Sequence, residues 1–536
     1  MEVNHVSTKT SPTIITASKN NQGALFFLEQ RFNSLFALDL RSLALMRTGV
    51  GLVIILDLIV RATSLEAHYS DTGILPLEVL FRYAWNPNYV SVYTMASSWQ
   101  IQALVFLLNG LCALCLMVGY RTRLFTFLCW ACMLSLHNRN PLIQQGGDDL
   151  LRLLLFWGMF LPWGYYYSLD AANLSKSELS SNKYVSLAGF AYVCQIFYVY
   201  FFSALLKSSP EWNQEYTALY YALNLDQLVT PFGKQLLGLG DGLKLMTFMA
   251  YYTELIVPFF LLVPFFTGYF RLAFVIVMVL FHVGISMTLY VGLFPLINIV
   301  SVLGLLPTMV QNRLNSRHDY LYDRAISFYK RQRAKFITWQ QLRTYGLKAG
   351  EEKEILKNYV PSEKWLTSLF ITFCIGYTLL WNIGNLKLPV PLLDNTRWVG
   401  HLLRIDQFWG MFAPAVFKDD GWFVLLGKTV NGKQLDITHP DEPVTFEKPA
   451  VVADFFKDDR WRKYHENMLF VNNNHYRLYY CAYLTNQWNA RQKDPGNRIP
   501  NLQIIYMKEV TKPDYQPSPP IKELLFDCNT VLPAVK

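Results

Sequence analysis

The chain has 536 residues, of which 52% are hydrophobic, 15% aromatic and only 16% charged. Its net charge of +9 invites a nucleic-acid partner, but the positives crowd mostly into one stretch between Arg313 and Lys364. No nucleic acid is therefore expected, and zinc, nucleophile-elbow and phosphate-loop signatures are likewise absent from the sequence.

Residues 1–41 are too polar for a cleavable signal peptide, and the first apolar run holds Arg47, Asp57 and Arg61 where a leader is purely apolar. Leu25, Leu28, Phe32, Leu35 and Phe36 recur at helical spacing, which predicts an interfacial helix in a cytoplasmic N-terminal segment. An apolar run of about 20 residues crosses hydrocarbon as a helix. That criterion predicts about nine spans: 42–60, 101–119, 124–137, 148–166, 184–206, 244–266, 271–291, 292–307 and 365–384. The first eight make a membrane core, 42–307, and a basic loop, 308–364, leads to the last. Under the positive-inside rule that loop, the Arg121/Arg123 turn and Arg271 all face the cytoplasm. Lys207 and everything after 385 then lie on the other side. The expected fold is an all-α polytopic membrane protein of about nine transmembrane helices with a small α/β extracytoplasmic C-terminal domain, 385–536.

Cys112, Cys115, Cys129, Cys132, Cys194 and Cys374 fall inside apolar spans, where cysteine acts as a small hydrophobe. No metal is predicted, because the paired spacings there lack polar companions. Cys481 and Cys528 form a disulfide if their compartment is oxidising, and stay as two thiols if it is not. In the C-terminal segment, Trp422 to Ile437 reads as a β-hairpin turning at Asn431-Gly432 through a type I′ turn. Arg460 to Asn489 reads as helical, Asn501 to Val510 as a strand, and 513–520 as an extended connection. A cap on the membrane core is the reading favoured for this segment.

Ionisable groups within apolar spans carry the functional argument. Asp57 and Arg61 are four apart and neutralise each other on one helical face, and Asp148 and Arg152 repeat the spacing. Glu254 lies four residues before Pro258, which frees a backbone carbonyl nearby. Lys207 ends the stretch Gln195-Ile-Phe-Tyr-Val-Tyr-Phe-Phe-Ser-Ala-Leu-Leu-Lys207-Ser-Ser-Pro-Glu-Trp212. A cationic side chain costs roughly 2.5–3.5 kcal/mol at a membrane helix centre and less near the interface, and loss of an ammonium proton is favoured there. His282, in Phe281-His282-Val-Gly, is either a helix-to-helix hydrogen-bond donor or a catalyst.

Several motifs together resemble the bacterial proteins that carry the horizontally transferred transmembrane (HTTM) domain, a superfamily that includes the vitamin K-dependent γ-glutamyl carboxylases. They are Arg47…Gly51…Asp57…Arg61…Tyr69-Ser-Asp71-Thr-Gly73-Ile-Leu-Pro76, then Gly119-Tyr-Arg121-Thr-Arg123, then Asn140-Pro141…Gly147-Asp148…Arg152…Pro162. The later Gln407-Phe-Trp409-Gly-Met411-Phe-Ala-Pro414…Asp420-Gly421-Trp422 and Arg462-Lys-Tyr464 extend the likeness. The resemblance implies that Lys207 is a base acting on a reduced, vitamin K-like quinone, flanked by Gln195 and Trp212, and that His282 is a second catalytic residue. Asp148, Arg152 and Glu254 complete the expected substrate-binding set. The histidine expected near the fourth span is not found, Asp148 or Asp149 standing about there, and no propeptide-recognising region is visible. The expected partners are the lipid bilayer, a lipid-soluble substrate and an exported polypeptide. The alternative is a non-enzymatic membrane protein that binds or escorts a secreted partner. A transporter would need corresponding interrupted helices, which are not evident.

Overall fold

The computed structural model describes residues 31–173, 182–343, 365–513 and 518–529. Leu25 and Leu28 of the expected interfacial helix, the end of the basic loop and the middle of the 513–520 connection lie outside them. The fold is mostly helical, with a small sheet near the C-terminus.

In chain order the main helices are α1 (Leu40–Ala62), α2 (Trp99–Val118), α3 (Thr122–Arg139), α4 (Gly146–Gly158), α5 (Leu187–Leu206), α6 (Gly242–Ile256), α7 (Thr267–Thr288) and α8 (Phe294–Leu303). They are followed by α9 (Thr308–Arg343), α10 (Trp365–Asn385), α11 (Pro391–Leu403), α12 (Asp459–Leu469) and α13 (Asn474–Arg491). Among the described residues six helices are long and apolar enough to cross a membrane: α1, α2, α5, α6 with its 3-10 extension to Leu262, α7 and α10. A seventh span exists if α8 and the start of α9, bent by 96° at their junction, are counted together. The expected nine is not confirmed, for local reasons. α3 carries Arg123, His137 and Arg139, and α4 has only 13 residues, with Asp148, Asp149 and Arg152 among them. Buried almost throughout, α4 packs against α3, α5 and α8 as a core helix. The stretch from 308, read as a loop, begins with the 36-residue α9.

Two glycines, Gly119 of a quoted motif and Gly292, have steric reasons to be glycine. Gly119 ends α2 at φ 71°, and a Cβ there would lie 2.1 Å from Nη1 of the buried Arg47. Gly292, at φ 58°, lies against Asp459, whose Oδ2 would be 2.9 Å from its Cβ.

Two short strands, β1 (Leu38–Asp39) and β2 (Lys183–Tyr184), pair antiparallel. The C-terminal sheet contains β3 (Asp419–Lys428), β4 (Gln434–Asp436), β5 (Asn501–Val510) and β6 (Ile521–Asp527), all antiparallel in the order β4-β3-β5-β6. The hairpin is formed, but not through a type I′ turn. Thr429 and Lys433 close it, Thr429 N–H donating to Lys433 O at 2.9 Å, and only Gly432 takes a positive φ. Three residues in the loop suit a turn ending in a left-handed glycine.

Cys481 of α13 is bonded to Cys528, just after β6. The two lie 47 residues apart, and closing a loop of that size contributes about 4 kcal/mol in the chain-entropy account. Cys481→Ser should lower the unfolding midpoint of the C-terminal segment, and thiol-blocking mass spectrometry of wild type should find both cysteines protected.

Buried Asp420 of β3 accepts from the backbone N–H of Gln227 at 3.2 Å, while Gln227 Nε2 donates to Gly421 O and to the Tyr506 hydroxyl. Burial, with Asp226 nearby, pushes the Asp420 carboxyl up to about 7 against the pull of those N–H donors. An unfolded aspartate ionises near 4, so between about pH 4 and 7 the unfolded state sheds a proton that the fold retains. Stability should therefore fall as pH rises through that window. The difference in unfolding midpoint between wild type and Asp420→Asn, measured from pH 4 to 8, should widen over the same range.

Candidate functional site

Two clusters of charged residues in the helical core bear on the expected site. The larger contains Asp57 and Arg61 of α1, Asp148 of α4 and Arg460 of α12, all buried. Arg61 Nε donates to Asp57 Oδ2 at 2.7 Å and its Nη2 to Asp148 Oδ1 at 2.8 Å. Arg460 Nη2 donates to Asp57 Oδ1 at 2.7 Å and to Asp148 Oδ1 at 2.8 Å, and its Nη1 reaches Asp148 Oδ2. The Tyr69 hydroxyl accepts from Arg61 Nη1 at 2.8 Å. Two carboxylates thus face two guanidiniums.

The expected Asp57–Arg61 pair is present, but the Asp148–Arg152 pair is not. Asp148 turns to Arg61, Arg460 and the backbone N–H of Gln145. Arg152 instead pairs with Asp149 at 3.1 Å and donates to the carbonyls of Arg404 at 2.8 Å and Asp406 at 2.6 Å. Sequence reasoning also placed no histidine beside Asp148. The fold supplies one from the preceding helix: His137 Nε2 lies 3.5 Å from Asp148 Oδ1. The ligand atoms of Asp57, His137 and Asp148 fall within 4.8 Å of one another. All four carboxylate oxygens there already accept from arginine, and two guanidiniums supply the balancing charge, so the chemistry of this set suits ion pairing better than a metal.

The second cluster surrounds Lys207. Tyr200, Ser203 and Lys207 recur at three- and four-residue spacing and so share one face of α5. Lys207 is 4% exposed; its Nζ pairs with Glu254 of α6, donates to Ser203 Oγ at 2.7 Å, and lies 5.2 Å from the Trp212 ring centroid. Further along the same face, the Tyr200 hydroxyl and His282 Nε2 are 3.1 Å apart. His282 Nδ1 is buried without a partner. The Phe294 ring lies 5.7 Å from the His282 ring, and its Cα would touch a Cβ at Gly147, so one aromatic side chain separates this cluster from the start of α4.

Gln195, expected as a flank of Lys207, is engaged elsewhere. Its Oε1 accepts from Trp157 Nε1 at 3.3 Å and its Nε2 donates to Gln407 Oε1 at 2.8 Å. Trp212 donates from Nε1 to Phe412 O at 3.0 Å, and Ser209 N–H donates to Pro414 O at 3.1 Å. The 407–414 segment therefore lies along the end of α5. Of the residues singled out in the sequence, Lys207, Glu254 and Trp212 come together, His282 joins them through Tyr200, and Gln195, Asp148 and Arg152 take other partners. Arg460, Ser203, Tyr200 and Gln407 were missed as site residues; Gln407 lay in a quoted motif, and Tyr200 and Ser203 in the quoted stretch that contains Lys207.

Removing one member of a fully buried ion network costs about 3–5 kcal/mol, because the partner charge is left uncompensated. Arg460→Met should lower the unfolding midpoint of the detergent-purified chain sharply. Adding Asp57→Asn, which restores neutrality, should recover part of that loss.

The HTTM domain family model matches residues 37–307, just over half of the chain. No curated protein and no solved structure matches it. The matched region holds Asp57, Arg61, Asp148, Lys207, Glu254 and His282, whereas Arg460 and Gln407 lie beyond it. The chain belongs to the HTTM domain family.

Proposed function

We propose that this multi-pass membrane protein carries, at the extracytoplasmic end of α5, a carboxylase-like site that exchanges a proton with a hydroxyl-bearing apolar ring reached from the bilayer. One observation carries the reading: buried Lys207 and half-buried Glu254 form an ion pair among apolar helices. Such a pair is weak evidence of stabilisation, since well-packed apolar residues in its place are often neutral or better. An ionisable group at that depth is a functional candidate by default.

In the ion-paired form the Lys207 amine has no free lone pair. The acceptor is then the Glu254 carboxylate, or Lys207 after passing its own proton to Glu254. Lys207 Nζ, with three donors on one nitrogen, holds negative charge that develops on an oxygen beside it. His282, whose Nδ1 has no partner, and Tyr200 supply further polar atoms to orient a ring. Phe197, Phe201 and Phe259, with ring centroids 5.0–5.4 Å apart, give that side of α5 an apolar wall. These residues fit a reduced quinone, which when bound supplies an acidic ring hydroxyl and a redox-active ring.

The orientation rests on Arg313, Arg324, Lys330 and Arg331 of α9 marking the cytoplasmic side, and a disulfide between Cys481 and Cys528 suits an oxidising outer compartment. A second reading, non-enzymatic binding of an exported polypeptide, draws on the 407–414 segment that covers the end of α5. It places the essential residues in the C-terminal segment instead.

Lipid mass spectrometry of the gently purified chain should find a quinone, and an added short-chain hydroquinone should quench tryptophan fluorescence. Lys207→Met paired with Glu254→Met keeps the site neutral and foldable. That variant should lose the quinone and bind the hydroquinone roughly tenfold more weakly, which corresponds to about 1.4 kcal/mol. A folded double variant with unchanged quinone content and binding would eliminate the proton-transfer reading.

A further inference from the structure

At the other membrane face, about 30 Å away along a 20-residue helix, the fold opens a half-enclosed cavity of about 350 Å³ near the start of α5. Its polar wall is built from two helix N-termini and three cationic side chains. Thr267 and Gly268 begin the 22-residue α7, and Thr308 and Met309 begin the 36-residue α9. The first N–H groups of a helix have no partner within it, and no side chain caps α7. Both macrodipoles therefore turn their positive ends toward the same space.

Arg271, one turn into α7, is 4% exposed and lines the cavity. Its two terminal nitrogens donate to the carbonyls of Ala37 and Leu35, while its Nε is buried without a partner. Arg31 and Lys183, both exposed, add positive charge at the rim. Asp39 also lines the cavity, but its carboxylate is held by Arg41 at 2.8 Å and is thereby neutralised. Phe266, 74% exposed, lines the cavity, and Phe265 and Tyr269, close to it in the chain, are 55% and 68% exposed. Exposed aromatics beside a polar recess mark the headgroup depth of a bilayer.

We propose that this cavity is a binding site for a phosphate-bearing anion, with the headgroup of an anionic phospholipid as the occupant its aromatic, membrane-facing mouth favours. The N-termini of α7 and α9 bind the phosphate oxygens through backbone N–H groups, as helix starts generally do. The buried guanidinium and the two rim cations neutralise its charge, and the acyl chains leave past Phe265 and Phe266 into the bilayer. Basic recesses between transmembrane helices on the cytoplasmic side are established places for such headgroups.

Thermal unfolding of the full chain in neutral detergent tests the site, with three probes added separately: dihexanoyl-phosphatidylglycerol, dihexanoyl-phosphatidylcholine and inorganic phosphate. Phosphatidylglycerol should raise the midpoint and phosphatidylcholine should not. Arg31→Glu with Lys183→Glu, two exposed positions, should weaken phosphatidylglycerol binding roughly tenfold, read against the variant's own ligand-free midpoint. An equal rise with inorganic phosphate, also lost in the double variant, would identify a free phosphate as the source of the same chemistry. If the double variant unfolds early, Lys183→Ala alone, read by native mass spectrometry of retained phosphatidylglycerol, replaces it. No rise with phosphatidylglycerol or phosphate, or the same rise in wild type and variant, would overturn the proposal.

Discussion

A bilayer offers no water to a buried charge, so it needs an opposite charge or hydrogen-bond acceptors within reach. In this chain that constraint is met by two aspartates and two arginines that share every carboxylate oxygen between them. Three of the four come from the helical core and the fourth, Arg460, from α12 far along the chain. The core charges alone carry a net −1. Docking of α12 brings the sum to zero, which makes the C-terminal segment part of the membrane core's electrostatics.

Other attachments between the two regions include further ion pairs, Lys418 with Glu211 and Lys448 with Asp226, and polar contacts. Gln407 meets Gln195, Phe412 O meets Trp212, and Gln227 meets both Asp420 and Tyr506. The first two of these contacts involve Gln195, on the helix that leads to Lys207, and Trp212, whose ring centroid lies 5.2 Å from the lysine Nζ. The Lys207–Glu254 pair is consequently enclosed by α5 and α6 on one side and by the 407–414 segment on the other. Charge neutrality at one cluster and enclosure at the next are two results of the same docking.

Much of the membrane architecture was legible because a span is a local property, readable from about 20 consecutive side chains. Lys207 stood out for the same reason, as a cation ending an apolar run. Glu254 was noticed, but its pairing with a lysine 47 positions away leaves no periodic trace. Arg460 was harder still, since α12 reads as a polar helix and nothing local distinguishes an arginine bound for the core. α3 and α4 were counted as spans on apolar content; their polar ends bury against protein instead of meeting the headgroups. The hairpin was legible from Asn431-Gly432, while the turn type depended on where the ladder closed.

The long reach of Arg460 also sets an order of events during biosynthesis. It contacts Asp57 across 403 positions of sequence, an interval that takes roughly 20–80 s to synthesise at 5–20 residues per second. Through that time α1 resides in the bilayer with its aspartate matched only within its own helix, and α4 arrives adding a further negative group. The nascent protein is thus left with an unbalanced negative charge at Asp57 and Asp148. It is balanced only after α12 has been made and has docked, so completion of the C-terminal segment is registered as a buried ionic bond.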